Sequence, residues 1–410
     1  MPKILILYHF YRPDDVISAI QKAGLAEALV ALGWEVEVWT SNRSCHHKTL
    51  KYSIKPETIN GVKIRRVWLP AFNQHTLGGR ILNSIWLQKR WCLRLLFTPS
   101  LKPDVILTGT DPLFTIISVP FYKLIRPKAK LAHWCFDLYP EAAIADGVVS
   151  KKDIIVRALK PILKWAYGSC DLIADLGCCM RERLDLYPGG KRVTLTPWAL
   201  EEPDEPLIID KTERQLLFGD APLGLLYSGS FGRAHEFQLC LELARRLKGK
   251  AVLTYSARGS RLDELKKALR PDDRNIRIDD FAPMERLKMR LSCPDIHVVS
   301  LRSEWAGIVV PSKFFGALAV GRPVLFEGGE DSAVARWIKQ YEIGWVLIPR
   351  NVKEIAEQLM KYSKNVAWKN AMSKHCHQVY QEHFSKKVVV NNWKEELKVL
   401  LVKQMNYKHQ

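Results

Sequence analysis

The sequence predicts an α/β chain made of two doubly wound domains, each a mostly parallel sheet with helices on both faces. Three observations carry this. Short apolar runs alternate with helix-length segments through the first 175 or so residues; the alternation stops at a stretch rich in proline and carboxylates, 197–206; and it restarts from 223. Strands separated by helix-length crossovers pair in parallel, whereas antiparallel neighbours are joined by short turns.

In chain order, the apolar run 5–8 opens the first domain as a buried strand. Residues 19–31 are rich in helix formers and stop before Gly33, where a left-handed cap costs little. Residues 35–40 read Glu-Val-Glu-Val-Trp-Thr, an alternation at period two, and further strands are expected at 62–69, 104–107, 130–135 and 171–174. The break at 197–206 holds three prolines and four carboxylates, a linker composition. Beyond it, strands at 223–227, 251–255, 276–278, 296–300 and 323–326 interleave with helices at 236–247, 262–269, 284–291 and 312–320. Val389, Trp393, Leu397 and Leu401 recur four apart and form one face of a terminal helix. The expected division is a first domain over 1–198, a linker over 199–206, a second domain over 207–380 and a C-terminal helix over 381–410.

Composition bounds the function. A chain of 410 residues is long for one core and comfortable for two, and 47% hydrophobic with 26% charged residues excludes global disorder. No window reaches the ~18 uncharged apolar residues of a spanning helix; the run 113–122 is too short and follows Asp111. Lys3 to Leu7 runs straight into Arg12-Pro13-Asp14-Asp15, which fits a first strand better than a signal peptide. Nine scattered cysteines without a Cys-x-x-Cys pair point to reduced thiols in a cytoplasmic setting and to no structural metal. The net charge is +19, of which +12 lies in residues 1–200 and +7 in the rest. An excess of this size attracts nucleic acid, an anionic membrane surface or a pyrophosphate-bearing substrate. The basic residues are scattered and no nucleic-acid module is present, so nucleic acid is not an expected partner.

Three motifs carry chemistry. The first is Leu225 to His235, with Ser228-Gly229-Ser230-Phe231-Gly232-Arg233 between a strand and a helix. Gly229 and Gly232 let backbone amides approach a ligand, a helix start favours an anion, and Arg233 offers a bidentate fork to phosphate oxygens. The second is Glu304-Trp305-Ala306-Gly307-Ile308-Val309-Val310-Pro311-Ser312-Lys313, a glycine loop leading into a helix start with Lys313 beside it. Together these two loops look like one diphosphate cradle. The third is His133-Trp134-Cys135-Phe136-Asp137-Leu138-Tyr139-Pro140-Glu141 at the end of a first-domain strand, where Asp137 and Glu141 are expected to face a cleft.

On the SGSFGRAH turn, VVPSKFFGALAVGRPVLF at 309–326, DLYPE at 137–141 and LTPWAL at 195–200, the chain resembles the family 4 retaining glycosyltransferases, in particular the branch that builds surface polysaccharide and lipopolysaccharide. The resemblance covers nearly the whole chain. It implies the GT-B fold, two Rossmann-like domains facing each other across a cleft, with the C-terminal helix crossing back to the first. It implies a nucleotide-sugar donor, retention of configuration, a lipid-linked or saccharide acceptor, and neither metal nor cofactor. It assigns Arg233 and Lys313 to a diphosphate clamp, with Gly229, Gly232, Gly307, Ile308, Val309 and Ser312 around the donor. Glu304 is assigned to sugar hydroxyls, Asp137 to the transferred sugar in catalysis, and His133 and Glu141 to sugar or acceptor contacts. Two positions depart from the family pattern: Gly316 stands where a ribose-binding glutamate is common, and Ile308 where its acidic partner would be. A sugar-nucleotide epimerase and a non-catalytic membrane scaffold are the alternatives on the same architecture.

Residues 79–97 alternate apolar side chains, among them Trp86 and Trp91, with Arg80, Arg90 and Arg94 in one helical sector. That is the composition of a helix lying in a membrane interface. The expected location is therefore cytoplasmic and peripheral, on the inner face of the membrane.

Overall fold

The computed structural model describes residues 1–45, 47, 49–74 and 76–406, with side chains through 402. The chain divides into two compact units, Met1–Thr196 with the segment from Val389 onward, and Pro197–Val388.

Among the described residues, unit 1 holds β1 (Lys3–Leu7), β2 (Glu35–Ser41), β3 (Glu57–Ile59), β4 (Val62–Val67), β5 (Val105–Gly109), β6 (Lys130–Trp134), β7 (Leu172–Asp175) and β8 (Lys191–Thr194). They form one sheet in the order β3-β4-β2-β1-β5-β6-β7-β8, parallel except for β3, which runs antiparallel to β4. The crossovers are filled by α1 (Ile17–Ala31), α2 (Leu77–Leu96), α3 (Val119–Ile125), α4 (Glu141–Ala145), α5 (Ile154–Gly168) and α6 (Cys178–Leu184). β5 is buried along its whole length, which is why it reads as a near-continuous apolar run. β2 is different. Period-two alternation ordinarily leaves one face exposed, yet Val36 to Ser41 are buried. Glu37 is held inside by accepting from Trp39 Nε1 at 2.6 Å and pairing with Arg65 at 2.7 Å.

Unit 2 repeats the scheme. β9 (Leu223–Ser230), β10 (Ala251–Arg258), β11 (Ile276–Asp279), β12 (Ile296–Ser300), β13 (Val324–Glu327) and β14 (Gly344–Leu347) lie in the order β11-β10-β9-β12-β13-β14, and each adjacent pair is parallel. Its helices are α7 (Lys211–Phe218), α8 (Gln238–Arg246), α9 (Leu262–Ala268), α10 (Leu287–Ser292), α11 (Lys313–Ala319), α12 (Ala333–Tyr341), α13 (Val352–Lys364) and α14 (Val366–His383). One core runs through β9, β10 and β12 and their covering helices, with Tyr227, Phe231 and Tyr255 fully buried at its upper end.

α15 (Lys386–Asn406) closes the chain, and from Val389 it belongs to unit 1. The buried Trp393 ring meets Trp134 edge-on at 5.2 Å, and Lys191 pairs with Glu396 at 2.6 Å. A break at 380/381 falls inside α14, whose last turn continues to His383. α5, α12, α13, β8 and β14 lie where no element was expected.

In both sheets the winding direction reverses once, between β1 and β5 in unit 1 and between β9 and β12 in unit 2. Doubly wound sheets bind ligands at such a reversal, beyond the carboxyl ends of the strands.

Candidate active site

In unit 2 the reversal is lined by the two loops singled out from the sequence. β9 runs to Ser230, and β12 is followed by the segment leading to Lys313. Lys313 Nζ donates to the Ser230 carbonyl at 2.9 Å and lies 4.9 Å from the Tyr227 ring centroid. Burial pushes its ammonium down to about 7. Gly229 adopts φ +121°, and a Cβ there would sit 3.0 Å from Lys313 Cε. Both the backbone and the lysine stem therefore require glycine. The loops are also tied through their backbones. Arg302 N donates to the Ala234 carbonyl at 2.8 Å, and His235 Nδ1 donates to the Ser300 carbonyl at 2.8 Å. Burial, reinforced by the nearby Lys313 charge, holds His235 down at about 3, so its ring is neutral.

Arg233 is exposed on this loop, with Gly232 beside it; a Cβ on Gly232 would meet nothing within 4 Å. Gly307 takes φ +75°, Ile308 is buried, Val309 pairs with Ala306 in a short bridge, and Glu304 is exposed 3.6 Å from Arg302. Ser312 occupies the N-cap position of α11 without a side-chain capping bond. Gly316 leaves room for a side chain: a Cβ there would approach Leu291 Cδ1 to 3.9 Å, an ordinary van der Waals contact.

One expectation needs correction. The loop after β9 does not lead directly into a helix start that can take an anion. α8 begins at Gln238, five residues beyond Arg233, and its first amides already have a side-chain acceptor. Leu239 N and Cys240 N donate to the Glu327 carboxylate at 2.9 and 3.1 Å. This carboxylate is buried at the end of β13, and burial raises it to about 7. The chain thus caps α8 with its own acid. A ligand at this reversal is left with the side chains and loop amides around Lys313 and Arg233.

In unit 1 the reversal carries acids instead. His9, just past β1, is buried and its Nδ1 lies 3.2 Å from Asp111 Oδ1, just past β5. Gln74 Nε2 approaches the other ring nitrogen at 3.4 Å. Asp137 follows β6; burial, then the Asp111 charge, raise its carboxyl to about 6, while Arg80 opposes the rise. Beneath these strand ends, fully buried Lys22 holds its amine 3.7 Å from the Trp134 ring and 4.0 Å from the Phe136 ring, and burial pushes that amine well below the usual lysine range. Glu141 opens α4 and accepts from Tyr187 OH at 3.0 Å.

His133 is a second correction. Its ring is buried in the core, 2.7 Å from Thr108 Oγ1 and edge-on to Tyr167, and burial followed by the Lys22 charge lowers it to about 3. That position is closed to a sugar. His9 and Asp111 were not singled out from the sequence. The signal that points to them is the run Gly109-Thr110-Asp111, where an apolar strand at the reversal ends on an acid.

Comparison with solved structures decides the architecture. A sucrose-phosphate synthase from Thermosynechococcus elongatus superposes with a TM-score of 0.70 over 98% of this chain and 100% of its own, at 16% identity. WaaG, a glycosyltransferase involved in lipopolysaccharide biosynthesis, matches with a TM-score of 0.63 over 97% of this chain and 99% of its own, at 14% identity. The chain has the GT-B fold. A third GT-B structure, Anabaena Alr3699/HepE in complex with UDP and glucose, matches at 0.65 over 97% of this chain and 100% of its own, with 10% identity. In sequence, the chain is 26% identical over 309 residues to the probable glycosyltransferase WbjE of Pseudomonas aeruginosa, covering 70% of this chain and 74% of that protein. No family model matches. Among the described residues of this GT-B chain, no helix is long and apolar enough to cross a membrane, and no group of three His, Cys, Asp or Glu side chains is arranged for a metal ion.

Proposed function

We propose that this chain is a glycosyltransferase that moves a hexosyl or acetamidohexosyl group from a nucleoside-diphosphate sugar to a lipid-linked or saccharide acceptor, with retention, in cell-envelope glycan synthesis. The observation that carries the reading is Lys313 bonded across the reversal of unit 2 to the Ser230 carbonyl, on the same loop as Arg233. The kinship with WbjE and the GT-B fold shared with WaaG and with the UDP-bound HepE support it.

In this reading the bond between the anomeric carbon and the diphosphate oxygen breaks, and charge gathers on the departing diphosphate. Lys313 and Arg233 stabilise that charge without a metal, in a site where Lys313 is already partly desolvated. An arriving diphosphate favours the charged ammonium, so Lys313 gains a proton as the donor binds. Ser312 and the loop at 307–309 hold the donor, and Glu304 meets sugar hydroxyls from an exposed position. The new bond joins the anomeric carbon to an acceptor hydroxyl, whose proton leaves with the diphosphate. The reaction runs on the cytoplasmic face of the membrane, where the protein is peripheral.

The test is donor turnover by purified protein, with nucleoside diphosphate release as the readout and a panel of uridine and guanosine diphosphate sugars as probes. Release that depends on an acceptor supports the proposal. Interconversion of donors without acceptor indicates an epimerase, and no nucleoside diphosphate binding by calorimetry removes the donor site altogether.

A further inference from the structure

The sequence directs attention to α2 as the membrane-facing helix, but two of its three arginines are engaged by the protein. The Arg94 guanidinium stacks 5.3 Å from the Trp39 ring, and Arg80 hydrogen-bonds Tyr139. α2 also buries Leu87, Trp91 and Leu95 against unit 1. Among its exposed residues are Leu77, Leu82, Ile85, Leu93 and Leu96, with Arg90 and Lys89.

α5 has a stranger composition. It attaches to unit 1 through Val156, Leu163, Ala166 and Tyr167. A surface helix anchored this way carries polar residues on its outer face. Here the outer face is apolar too. With 3.6 residues per turn, Ile154, Ala158, Pro161 and Trp165 fall within about 60° of each other, opposite Val156, Leu163 and Tyr167. Ile154 is 81% exposed, Ile155 67% and Trp165 49%. Arg157, Lys160 and Lys164 gather on one flank, also within about 60°, and Lys151 and Lys152 stand exposed just before the helix. Asp153 is the acid within this stretch, 151–168.

The patch continues onto its neighbours. The Trp165 ring meets Phe121 of α3 edge-on at 5.5 Å, and Leu124 of α3 is 74% exposed. Arg126, just past α3, donates to the Leu95 and Thr98 carbonyls at 2.6 and 2.7 Å, which brings exposed Phe97 into the same layer. Isoleucine, tryptophan and phenylalanine left in water along a helix flanked by cations fit a surface with acyl chains below and phosphates above.

We propose that α5, with the exposed ends of α3 and α2, is the face by which this chain lies on an anionic lipid bilayer. This rests on the membrane part of the reading above and not on the donor site. Ile154, Trp165 and Phe121 enter the headgroup boundary, while Arg157, Lys160 and Lys164 meet lipid phosphates from the flank.

The experiment is flotation of the full chain with vesicles of phosphatidylcholine alone and of phosphatidylcholine with phosphatidylglycerol, without any sugar donor, so its outcome is independent of transfer. Expected is partition to the anionic vesicles that weakens with salt. Arg157→Gln/Lys160→Gln/Lys164→Gln lowers that partition roughly 100-fold, about a factor of five per cation. Ile154→Ser/Ile155→Ser/Trp165→Ser lowers it at least about tenfold, with nucleoside diphosphate binding unchanged as a check on folding. Leu82→Ser/Ile85→Ser on α2 lowers it less. The proposal is overturned if the wild type ignores anionic vesicles or if both α5 variants bind them as the wild type does. It is equally overturned if the apolar α5 variant merely converts a dimer to a monomer in sedimentation, which makes a second copy the occupant.

Discussion

Units 1 and 2 wind their strands in the same sense and reverse at the corresponding place, yet their strand ends carry opposite charge. Beyond β9 and β12 stand Lys313 and Arg233, and the nearby acid, Glu327, is turned inward to cap α8. Beyond β1, β5 and β6 stand Asp111 and Asp137 with Arg80 nearby, and Lys22 is turned inward beneath Trp134 and Phe136, where burial pushes its amine well below the usual lysine range. Each unit turns one group of the opposite kind inward. The fold supplies a position, and a few loop residues decide what sign of ligand it suits.

The sharpest way to break the contrast is at Lys313. Lys313→Met is expected to weaken nucleoside diphosphate binding by about 2–3 kcal/mol, roughly 30- to 150-fold, as measured by calorimetry, with little change in melting temperature. Equal affinity in the variant would put the diphosphate elsewhere. Next comes Gly229→Ala against Gly232→Ala. The first must adopt a positive φ and press on Lys313, so it should cost about 1–3 kcal/mol in urea unfolding; the second should stay within about 0.5 kcal/mol.

The two charges also respond oppositely to pH. Burial pushes the Lys313 ammonium down to about 7, so bound diphosphate draws in a proton. Affinity should fall as pH rises from 6 to 9, and calorimetry in buffers of different ionisation enthalpy should register the uptake. Asp137 has its carboxyl raised to about 6, so the folded state binds more protons than the unfolded one between the ordinary carboxylate range and 6. Relative stability from this group is therefore lost as pH rises through 6. Asp137→Asn should stabilise the fold at pH 8 by on the order of 1 kcal/mol and make little difference at pH 4, while lowering transfer. The smallest effect is expected at Gly316→Glu, where the structure has room. The variant should fold, and a change in nucleotide affinity would locate the ribose near α11.

Much of this layout was legible in the sequence. Central strands such as β5 are buried along their length, and their apolar runs stand out between polar loops. The loops at 229–233 and 304–313 were legible because glycines and lone cations mark strand ends. α5 carries Pro161 in its interior, a residue that ordinarily argues against a helix at that point. Glu327 looked like any acid after a strand, because its partners, the amides of Leu239 and Cys240, lie 87 residues or more away. His133 drew attention by residue type alone, and burial decides its role. β14 and the edge of unit 2 depend on a pairing with β13 that local propensity does not encode.

The return of α15 to unit 1 has a bearing on biogenesis. Trp393, which packs against Trp134, leaves the ribosome only after every strand of unit 2 has been made. Unit 2 is a continuous stretch and can mature during synthesis, whereas unit 1, which precedes it, waits for a helix translated after unit 2. Until then the part of Trp134 that meets Trp393 stays uncovered, and in that interval a nascent chain would lean most on chaperones.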